Sequence, residues 1–268
     1  MNLLFAINKN FIDLFLNCIK SVVKNGGYDR YICYILNSDF DNGDKRRIKE
    51  GVPENVECHF IMVEEDFFKG FPETKRYPRQ IYYRLLAPKL LPDNLDRILY
   101  LDVDLVVINP LNELYETDFE GNYFVATSNI KKVLTKVNQL RLGIDAQKDI
   151  TYTNTGVLLY NLPVLREKVK LEDIRDYTNS KGRVFILPDQ DILTALYGDR
   201  VKRVDNLIYN LNDRTIAFNN ADLRKEKIDL DWVRKNAVII HYFGKNKPWK
   251  DNYMGILDVF YKEIADIR

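Results

Sequence analysis

Alternating apolar and polar stretches divide the first part of the chain into strands and helices. Short apolar runs over 2–7, 31–36 and 56–63 predict three buried strands. Residues 11–24, between the first two, carry apolar side chains at helical spacing, and a polar stretch over 44–50 predicts a second helix. This βαβαβ order indicates a parallel, doubly wound α/β sheet with helices on both faces.

The second part of the chain continues the pattern less regularly. A helix is predicted over 80–91, and the apolar run over 97–108 is the strongest strand signal in the sequence. The polar segment 130–149 contains few strand formers and is interpreted as a mobile flap. The other predicted elements are strands over 123–127, 156–161 and 238–242, and helices over 162–179, 190–197 and 253–267.

Composition excludes several classes of protein. The 268 residues carry 40 basic and 39 acidic side chains, so no overall field would draw the chain to nucleic acid, and no nucleic-acid partner is expected. Three widely spaced cysteines argue for free thiols in a reducing cytoplasm. No apolar stretch reaches the roughly 18 residues of a membrane span, and the first run is too short for a signal peptide.

Asp102 and Asp104 interrupt the strongest strand signal. Burial of a carboxylate is costly without compensation, and residues two apart on a strand point to the same side. The pair can therefore bind one cation, or one cation and one sugar hydroxyl; the alternative is a strand end where both carboxylates contact water. Asp-x-Asp pairs with other surroundings begin at Asp39, Asp189 and Asp229.

His241 ends the apolar run over 238–240, and ligands of open α/β sheets bind beyond the carboxyl ends of strands. With Asp102 and Asp104 it forms a ligand set that suits Mn²⁺, with Mg²⁺ as the alternative. Gly244 would allow close approach of the backbone to a phosphate, and Lys247 would supply positive charge. The alternative for these two residues is an ordinary basic turn.

Six ordered segments carry a resemblance to the family 8 retaining glycosyltransferases, which include bacterial lipopolysaccharide galactosyl- and glucosyltransferases and glycogenins. They extend from residue 5 to residue 249. The resemblance implies a GT-A fold, with a mixed, mostly parallel twisted sheet that has helices on both faces. It also implies one domain, 1–268: a nucleotide-binding half over about 1–110, a donor-sugar and acceptor half over about 111–250, and a C-terminal helix over 251–268. The segments are Phe5-Ala6 with Asn8 and Asn10, Tyr83-Arg84-Leu85, residues 99–104, residues 154–159, Asp189-Gln190-Asp191, and residues 241–249.

The resemblance also implies a role for each matched residue. Asp102, Asp104 and His241 match the metal ligands, and Val103 contributes backbone to the ribose site. The remaining matches are Ala6, Asn8 and Asn10 to the nucleoside; Arg84 to the donor sugar and diphosphate; Asn154 and Thr155 to the donor sugar; Asp189 and Gln190 to the pair beneath the sugar ring; and Gly244 and Lys247 to the diphosphate.

These roles predict an enzyme that moves glucose or galactose from a UDP-hexose to a glycan, glycolipid or protein hydroxyl, with retention of configuration. Gln190 is a poor nucleophile, which favours attack on the face from which the diphosphate leaves. Asp189 would orient sugar hydroxyls, or else only cap a helix beginning at Gln190. Arg84 would stabilise charge on the leaving group.

Departures from the family pattern limit what it implies. Asn8 stands where several relatives have Asp, and residues 76–80 differ in a region that shapes the acceptor site. The given sequence does not contain the basic, aromatic membrane-binding tail of some relatives. The expected location is the cytoplasm, with the inner face of the membrane as the alternative. A nucleotidyltransferase, which would release pyrophosphate, and a non-catalytic sugar-nucleotide-binding module are the alternatives.

Overall fold

The structure is a computed structural model that describes residues 1–74, 77–128, 130 and 132–265, without the side chains of Glu65, Lys132 and Val133. Its strands are β1 (Asn2–Ala6), β2 (Tyr31–Asn37), β3 (Val56–Met62), β4 (Arg97–Leu101), β5 (Leu105–Val107), β6 (Phe124–Ala126), β7 (Val157–Asn161), β8 (Val201–Arg203) and β9 (Ile239–His241).

Short 3₁₀ turns connect some of these elements, notably Lys9–Phe11 after β1 and Arg79–Tyr82 before the third helix. The α-helices are α1 (Ile12–Asn25), α2 (Asn42–Gly51), α3 (Tyr83–Leu90), α4 (Asn112–Tyr115), α5 (Lys132–Leu142), α6 (Leu162–Lys168), α7 (Leu171–Lys181), α8 (Pro188–Tyr197), α9 (Asn206–Tyr209), α10 (Asp213–Asn220), α11 (Leu230–Asn236) and α12 (Asp258–Ala265).

The main sheet has the order β3-β2-β1-β4-β7-β6-β8. Its first four strands are parallel, as the βαβαβ pattern predicts. Strand β7 runs antiparallel to both β4 and β6, while β6 and β8 are parallel. The predicted mixed, mostly parallel α/β sheet with helices is confirmed.

The apolar run over 97–108 forms two strands instead of the predicted one. Strand β4 belongs to the main sheet, whereas β5 pairs with β9 in a separate antiparallel sheet. Residues 102–104 connect the two, and the Asp102 N–H donates to the Gly156 carbonyl at 2.8 Å. The carboxylate pair therefore lies at a strand end, where the chain leaves one sheet for another.

Three helix predictions also need correction. The helix predicted over 162–179 is divided into α6 and α7 at extended, buried Val169. Helix α8 begins at Pro188, whose fixed φ suits the first helical turn, two residues before the predicted start. The last helix begins at Asp258 and not at 253, and residues 266–268 lie outside the described part of the chain.

Alternation along the central strands places apolar side chains on both faces of the sheet. Leu3 and Phe5 of β1 enter the core that α1 covers, whereas Leu4 enters the core on the opposite face, with α3. A third core packs α11 and α12 against β5 and β9. Within the described residues, no helix is both long and apolar enough to span a bilayer.

Candidate metal centre and active site

Asp102, Asp104 and His241 form one cluster, whose ligand atoms lie within 4.8 Å of one another. Pairing of β5 with β9 brings them together: Leu105 is in register with His241, and the Tyr242 N–H donates to the Asp104 carbonyl at 2.8 Å. The main sheet supplies Asp102 at the end of β4. Two carboxylates and an imidazole are therefore fixed by the ends of strands from two sheets.

Charges around Asp104 keep it ionised. Burial by itself would raise the pKa of this carboxyl, but His241 and Lys247 together lower it well below its ordinary value. His241 Nε2 lies 3.1 Å from Asp104 Oδ1, and Lys247 Nζ donates to Asp104 Oδ2. Asp104 is thus held as an anion, the form needed for a hard cation.

The other ring nitrogen of His241 contacts an amide. Nδ1 lies 2.8 Å from Asn210 Oδ1, and both side chains are buried. Gly156 packs closely against the same imidazole ring and against Asp102. A β-carbon at Gly156 would lie 2.2 Å from His241 Cε1 and 2.8 Å from Asp102 Oδ2, so only glycine fits there.

Arg84 connects the cluster to α8. Its guanidinium is 6% exposed, donates to Asp102 Oδ1 at 3.1 Å and lies 3.3 Å from Asp189 Oδ2. It also donates to the Thr155 carbonyl at 2.7 Å and stacks over the Tyr100 ring at 4.4 Å. Burial would lower the arginine pKa, but the charges of Asp102 and Asp189 raise it. Arg84 therefore holds two carboxylates in place as a permanent cation.

Asp189 lies inside α8, so its predicted alternative as the helix cap is wrong: Leu187 occupies the N-cap position. Its Oδ2 accepts from Thr155 Oγ1 at 2.6 Å. Burial raises the pKa of Asp189, an effect that Arg84 and Thr155 partly offset. Gln190 follows it in the first turn of α8 and is partly exposed.

The segment of Asn154, Thr155 and Gly156 approaches β7 beside the cluster. Asn154 Oδ1 accepts from the Gly156 N–H at 3.0 Å, and the Asn154 N–H donates to the Thr127 carbonyl at 2.9 Å. The side chains of Asn154 and Thr155 are therefore held rigidly, close to Asp102 and Asp189.

The residues predicted to bind the nucleoside lie at the end of β1 and directly after it. Strand β1 is parallel to β4 with Leu4 opposite Tyr100, a register that places Ala6 level with Asp102. Asn8 Oδ1 accepts from the Asn10 N–H at 3.0 Å and caps the 3₁₀ turn Lys9–Phe11. Val103, between the two aspartates, is 9% exposed.

The segment after β9 leads from His241 to Lys247, whose ammonium also donates to the Tyr242 carbonyl at 2.7 Å. Gly244 has a φ of 89°, a left-handed conformation that favours glycine. This turn directs the chain back, so that Lys247 reaches Asp104.

Sequence reasoning missed three residues of this network. Tyr100 donates to Asp102 Oδ1 at 2.8 Å, Asn210 contacts His241, and Asn210 Nδ2 donates to Thr127 Oγ1 at 2.8 Å. Tyr100 lies within the matched segment 99–104. Its position two residues before Asp102 on a predicted strand indicates that the two side chains point to the same side, so this contact could have been predicted. Asn210 and Thr127 had no signal in the sequence.

Comparison with known proteins identifies the class. The profile of glycosyl transferase family 8 matches residues 2–253. This chain belongs to that family and is a glycosyltransferase.

Individual relatives are distant. The lipopolysaccharide 1,2-glucosyltransferase of Escherichia coli (strain K12) is 25% identical over 253 residues, which cover 93% of this chain and 72% of that protein. The lipopolysaccharide 1,3-galactosyltransferase of Salmonella typhimurium is 24% identical over 262 residues, covering 92% and 72%. The crystal structure of galactosyltransferase LgtC with donor and acceptor sugar analogs matches with a TM-score of 0.81 and 24% identity, covering 99% of this chain and 95% of LgtC. That likeness shows the GT-A fold.

Proposed function

We propose that this glycosyltransferase moves glucose or galactose from a UDP-hexose to a glycan or glycolipid hydroxyl, with retention of configuration. The observation that carries the proposal is the cluster of Asp102, Asp104 and His241 in a family 8 chain. The named activities of the relatives, glucosyl and galactosyl transfer, support a hexose as the transferred group. The free cysteines agree with a reducing cytoplasm as its location.

The donor nucleoside would bind where β1 and β4 end. Ala6 ends β1, Asn8 and Asn10 follow it, and Val103 follows β4 one strand away. Amide side chains there offer both a donor and an acceptor to a uracil ring, and backbone at Val103 offers the same to a ribose. We therefore assign the first 110 residues or so of a single domain to nucleotide binding.

Asp102, Asp104 and His241 would hold a divalent cation. Two carboxylates and one imidazole suit Mn²⁺ better than Mg²⁺, because imidazole is a softer ligand than the oxygens that Mg²⁺ prefers. When bound, such a cation supplies Lewis-acid stabilisation of the charge that develops on the departing UDP.

Lys247 and Gly244 would bind the diphosphate beside that cation. Lys247 already contacts Asp104, so it lies in the immediate surroundings of the leaving group. A fixed ammonium close to developing negative charge lowers the barrier to bond cleavage, because the charge is stronger in the transition state than in the bound donor.

The donor sugar would lie over Asn154, Thr155 and Asp189. Thr155 Oγ1 donates to Asp189, which leaves the second carboxylate oxygen available to orient sugar hydroxyls. Arg84 fixes the positions of Asp189 and Asp102 together, so it couples the sugar site to the diphosphate site. Any further contact between Arg84 and the donor stays a prediction.

Gln190 would lie under the anomeric carbon. A neutral amide does not readily form a glycosyl intermediate, so a double displacement would lack its nucleophile. It also does not accept a proton near pH 7, so an inverting reaction would lack its general base. The acceptor hydroxyl then attacks the anomeric carbon from the face that UDP leaves. Its proton passes to an oxygen of the departing phosphate, and the Gln190 carbonyl oxygen stabilises positive charge on the sugar.

Release of nucleoside diphosphate from a panel of donors tests the proposal. With Mn²⁺ present, UDP-glucose or UDP-galactose should be turned over fastest, and calorimetry should show UDP binding more tightly than GDP or ADP. Asp104→Ala should lose about 10²-fold or more of the turnover, as is typical when a charge-stabilising group is removed.

Asp231→Ala is the matched control, because Asp231 belongs to another Asp-x-Asp pair and is exposed on α11. It should keep full turnover. Tighter binding of GDP or ADP than UDP, or full activity of Asp104→Ala in the presence of a chelator, would contradict the proposed function.

A further inference from the structure

The amide of Asn210 is buried against the imidazole of the metal cluster. Asn210 is fully buried and His241 is 2% exposed. Asn210 Oδ1 lies 2.8 Å from His241 Nδ1, on the side of the ring away from the two aspartates. Burying a primary amide costs free energy unless its polar atoms have partners, so the contacts of both atoms decide what the side chain can do here.

The backbone fixes this amide relative to the histidine. Asn210 follows α9, and the next residue, Leu211, pairs with β9 on both sides of Ile240. The Leu211 N–H donates to the Ile239 carbonyl at 3.0 Å, and the His241 N–H donates to the Leu211 carbonyl at 2.8 Å. Backbone hydrogen bonds therefore fix the position of Asn210 relative to His241.

The amide has a second buried partner on its other side. Asn210 Nδ2 donates to the buried Thr127 hydroxyl at 2.8 Å, which leaves Oδ1 to face the imidazole. An amide oxygen only accepts hydrogen bonds, so a proton on His241 Nδ1 satisfies this contact. Nε2, which lies 3.1 Å from Asp104 Oδ1 and 3.7 Å from Asp102 Oδ2, is then the ring nitrogen that would bind a cation between the two carboxylates.

We propose that Asn210 is a positioning residue that keeps the proton of His241 on Nδ1, so that Nε2 is directed at the metal position between Asp102 and Asp104. Partners of this kind set the tautomer and the ring orientation of histidine ligands. The proposal rests on the proposed function in one respect only, that this cluster holds the cation.

Thr127 extends the effect to the sugar site. Its carbonyl accepts from the Asn154 N–H at 2.9 Å, while its hydroxyl accepts from Asn210. One buried threonine therefore aligns the histidine through Asn210 and, on its other side, the segment that precedes Gly156. The ring of His241 and the close approach of Gly156 to it are set by the same network.

Proton placement can be measured directly, because the chain has only two histidines. Long-range ¹H–¹⁵N spectra of the wild type, with a His59→Gln variant for assignment, report which ring nitrogen of His241 is protonated. Nδ1 should carry a proton both without metal and with Mg²⁺ and UDP. An unprotonated Nδ1 in the wild type would overturn the proposal, whether or not the enzyme transfers sugar.

Metal affinity gives the second readout, from the electron paramagnetic resonance signal of free Mn²⁺ in the presence of UDP. Asn210→Leu should weaken Mn²⁺ binding by about 10- to 100-fold, the usual cost of losing a partner of a metal ligand. Asn210→Asp should stay within about threefold of the wild type, because a carboxylate also accepts from Nδ1–H.

Asn219→Leu is the matched control: it removes a buried amide that donates to the Glu226 carbonyl, away from the cluster. Its Mn²⁺ affinity should equal that of the wild type. Unchanged affinity in Asn210→Leu, or equal losses in Asn210→Asp and Asn210→Leu, would overturn the role of Asn210. Absence of Mn²⁺ binding in the wild type would instead refute the proposed metal site. If Asn210→Leu does not fold, the nitrogen spectra of the wild type still decide the question.

Discussion

At the residue scale, a single methyl group added at Gly156 would contact two residues of the cluster. Gly156→Ala would place a methyl group 2.2 Å from His241 Cε1 and 2.8 Å from Asp102 Oδ2, so one or both side chains must move. We expect Mn²⁺ affinity and UDP release to fall about 10-fold or more, comparable with other disturbances of metal-ligand geometry. Titration of Mn²⁺ with UDP present measures the first effect, and a coupled assay the second.

Gly43→Ala is the control for that substitution, since its added methyl would meet only the side chain of Asp41, at 3.0 Å. It should leave both measurements unchanged. A Gly156→Ala enzyme with the wild-type affinity for Mn²⁺ would show that the close approach of Gly156 has no bearing on the cluster.

Asp189 predicts a pH dependence of stability. Its pKa in the folded chain is raised above the ordinary value of 3.8, chiefly by burial. The folded state therefore holds this proton more tightly than the unfolded state does. The resulting stabilisation is fully present below the unfolded pKa and is lost as pH rises through the folded pKa. Asp189→Asn removes this titration, so the free energy of unfolding of the wild type should decline relative to that of the variant over this window.

Urea unfolding at a series of pH values, with chelator present, measures that difference. The same variant should bind donor more weakly and transfer the sugar more slowly, because an amide has one acceptor oxygen where the carboxylate has two. A stability difference that grows in favour of the wild type as pH rises would contradict the raised pKa of Asp189.

At the element scale, one ion pair ties α5 to the start of α8. Asp191 is fully buried and accepts from Arg141 at 2.6 and 2.9 Å, from the Tyr152 hydroxyl and from the Ile186 and Leu187 N–H groups. Arg141→Met would leave a buried carboxylate without its countercharge, at a cost of about 3 kcal/mol in the free energy of unfolding.

Urea unfolding at pH 7 tests the loss. Arg224→Met is the control: the Arg224 guanidinium is 89% exposed beside Asp222, so its loss should leave the free energy of unfolding nearly unchanged. Equal stabilities of the two variants would show that the Arg141–Asp191 pair does not hold α5. The segment interpreted as a mobile flap from its sequence thus contains a helix anchored to α8 by this pair.

Sequence patterns predict elements well where the information is local. The parallel half of the sheet can be predicted from apolar runs that alternate with a helical repeat. The start of α8 at Pro188 could have been predicted from the preference of proline for the first helical turn. The division of the apolar run into β4 and β5 could not be predicted from such a pattern. An apolar run does not reveal that its second half pairs with a strand more than 130 residues away, at His241.

The same distinction applies at the scale of the whole molecule. The cluster of Asp102, Asp104 and His241 could be predicted because two carboxylates in an apolar run are conspicuous and because the family resemblance includes His241. The role of Asn210 could not be predicted, since an asparagine after a short helix is ordinary in sequence. Its importance depends on the pairing of Leu211 with β9, and tertiary contacts of this kind leave no periodic pattern.

The stereochemical outcome depends on several parts of the chain acting around one carbon atom. In the proposed mechanism, the end of β4 and His241 lie on the side of the leaving diphosphate, while α8 contributes Asp189 and Gln190 to the sugar site. Because Gln190 cannot serve as a base, an α-linked UDP-hexose should give an α-linked product. Proton NMR of the first-formed product, recorded before mutarotation, measures the configuration. A β-linked product would refute attack from the leaving-group face.

Gln190→Ala separates the role of this amide from simple binding of the donor. In the proposed mechanism, its carbonyl oxygen interacts with positive charge that exists on the sugar only as the bond to phosphate breaks, so its contribution would belong to the transition state. We expect kcat to fall about 10-fold or more while the affinity for UDP-hexose changes little. The product formed at the residual rate should still be α-linked. A variant that lost affinity and kept its kcat would place Gln190 in ground-state binding of the sugar.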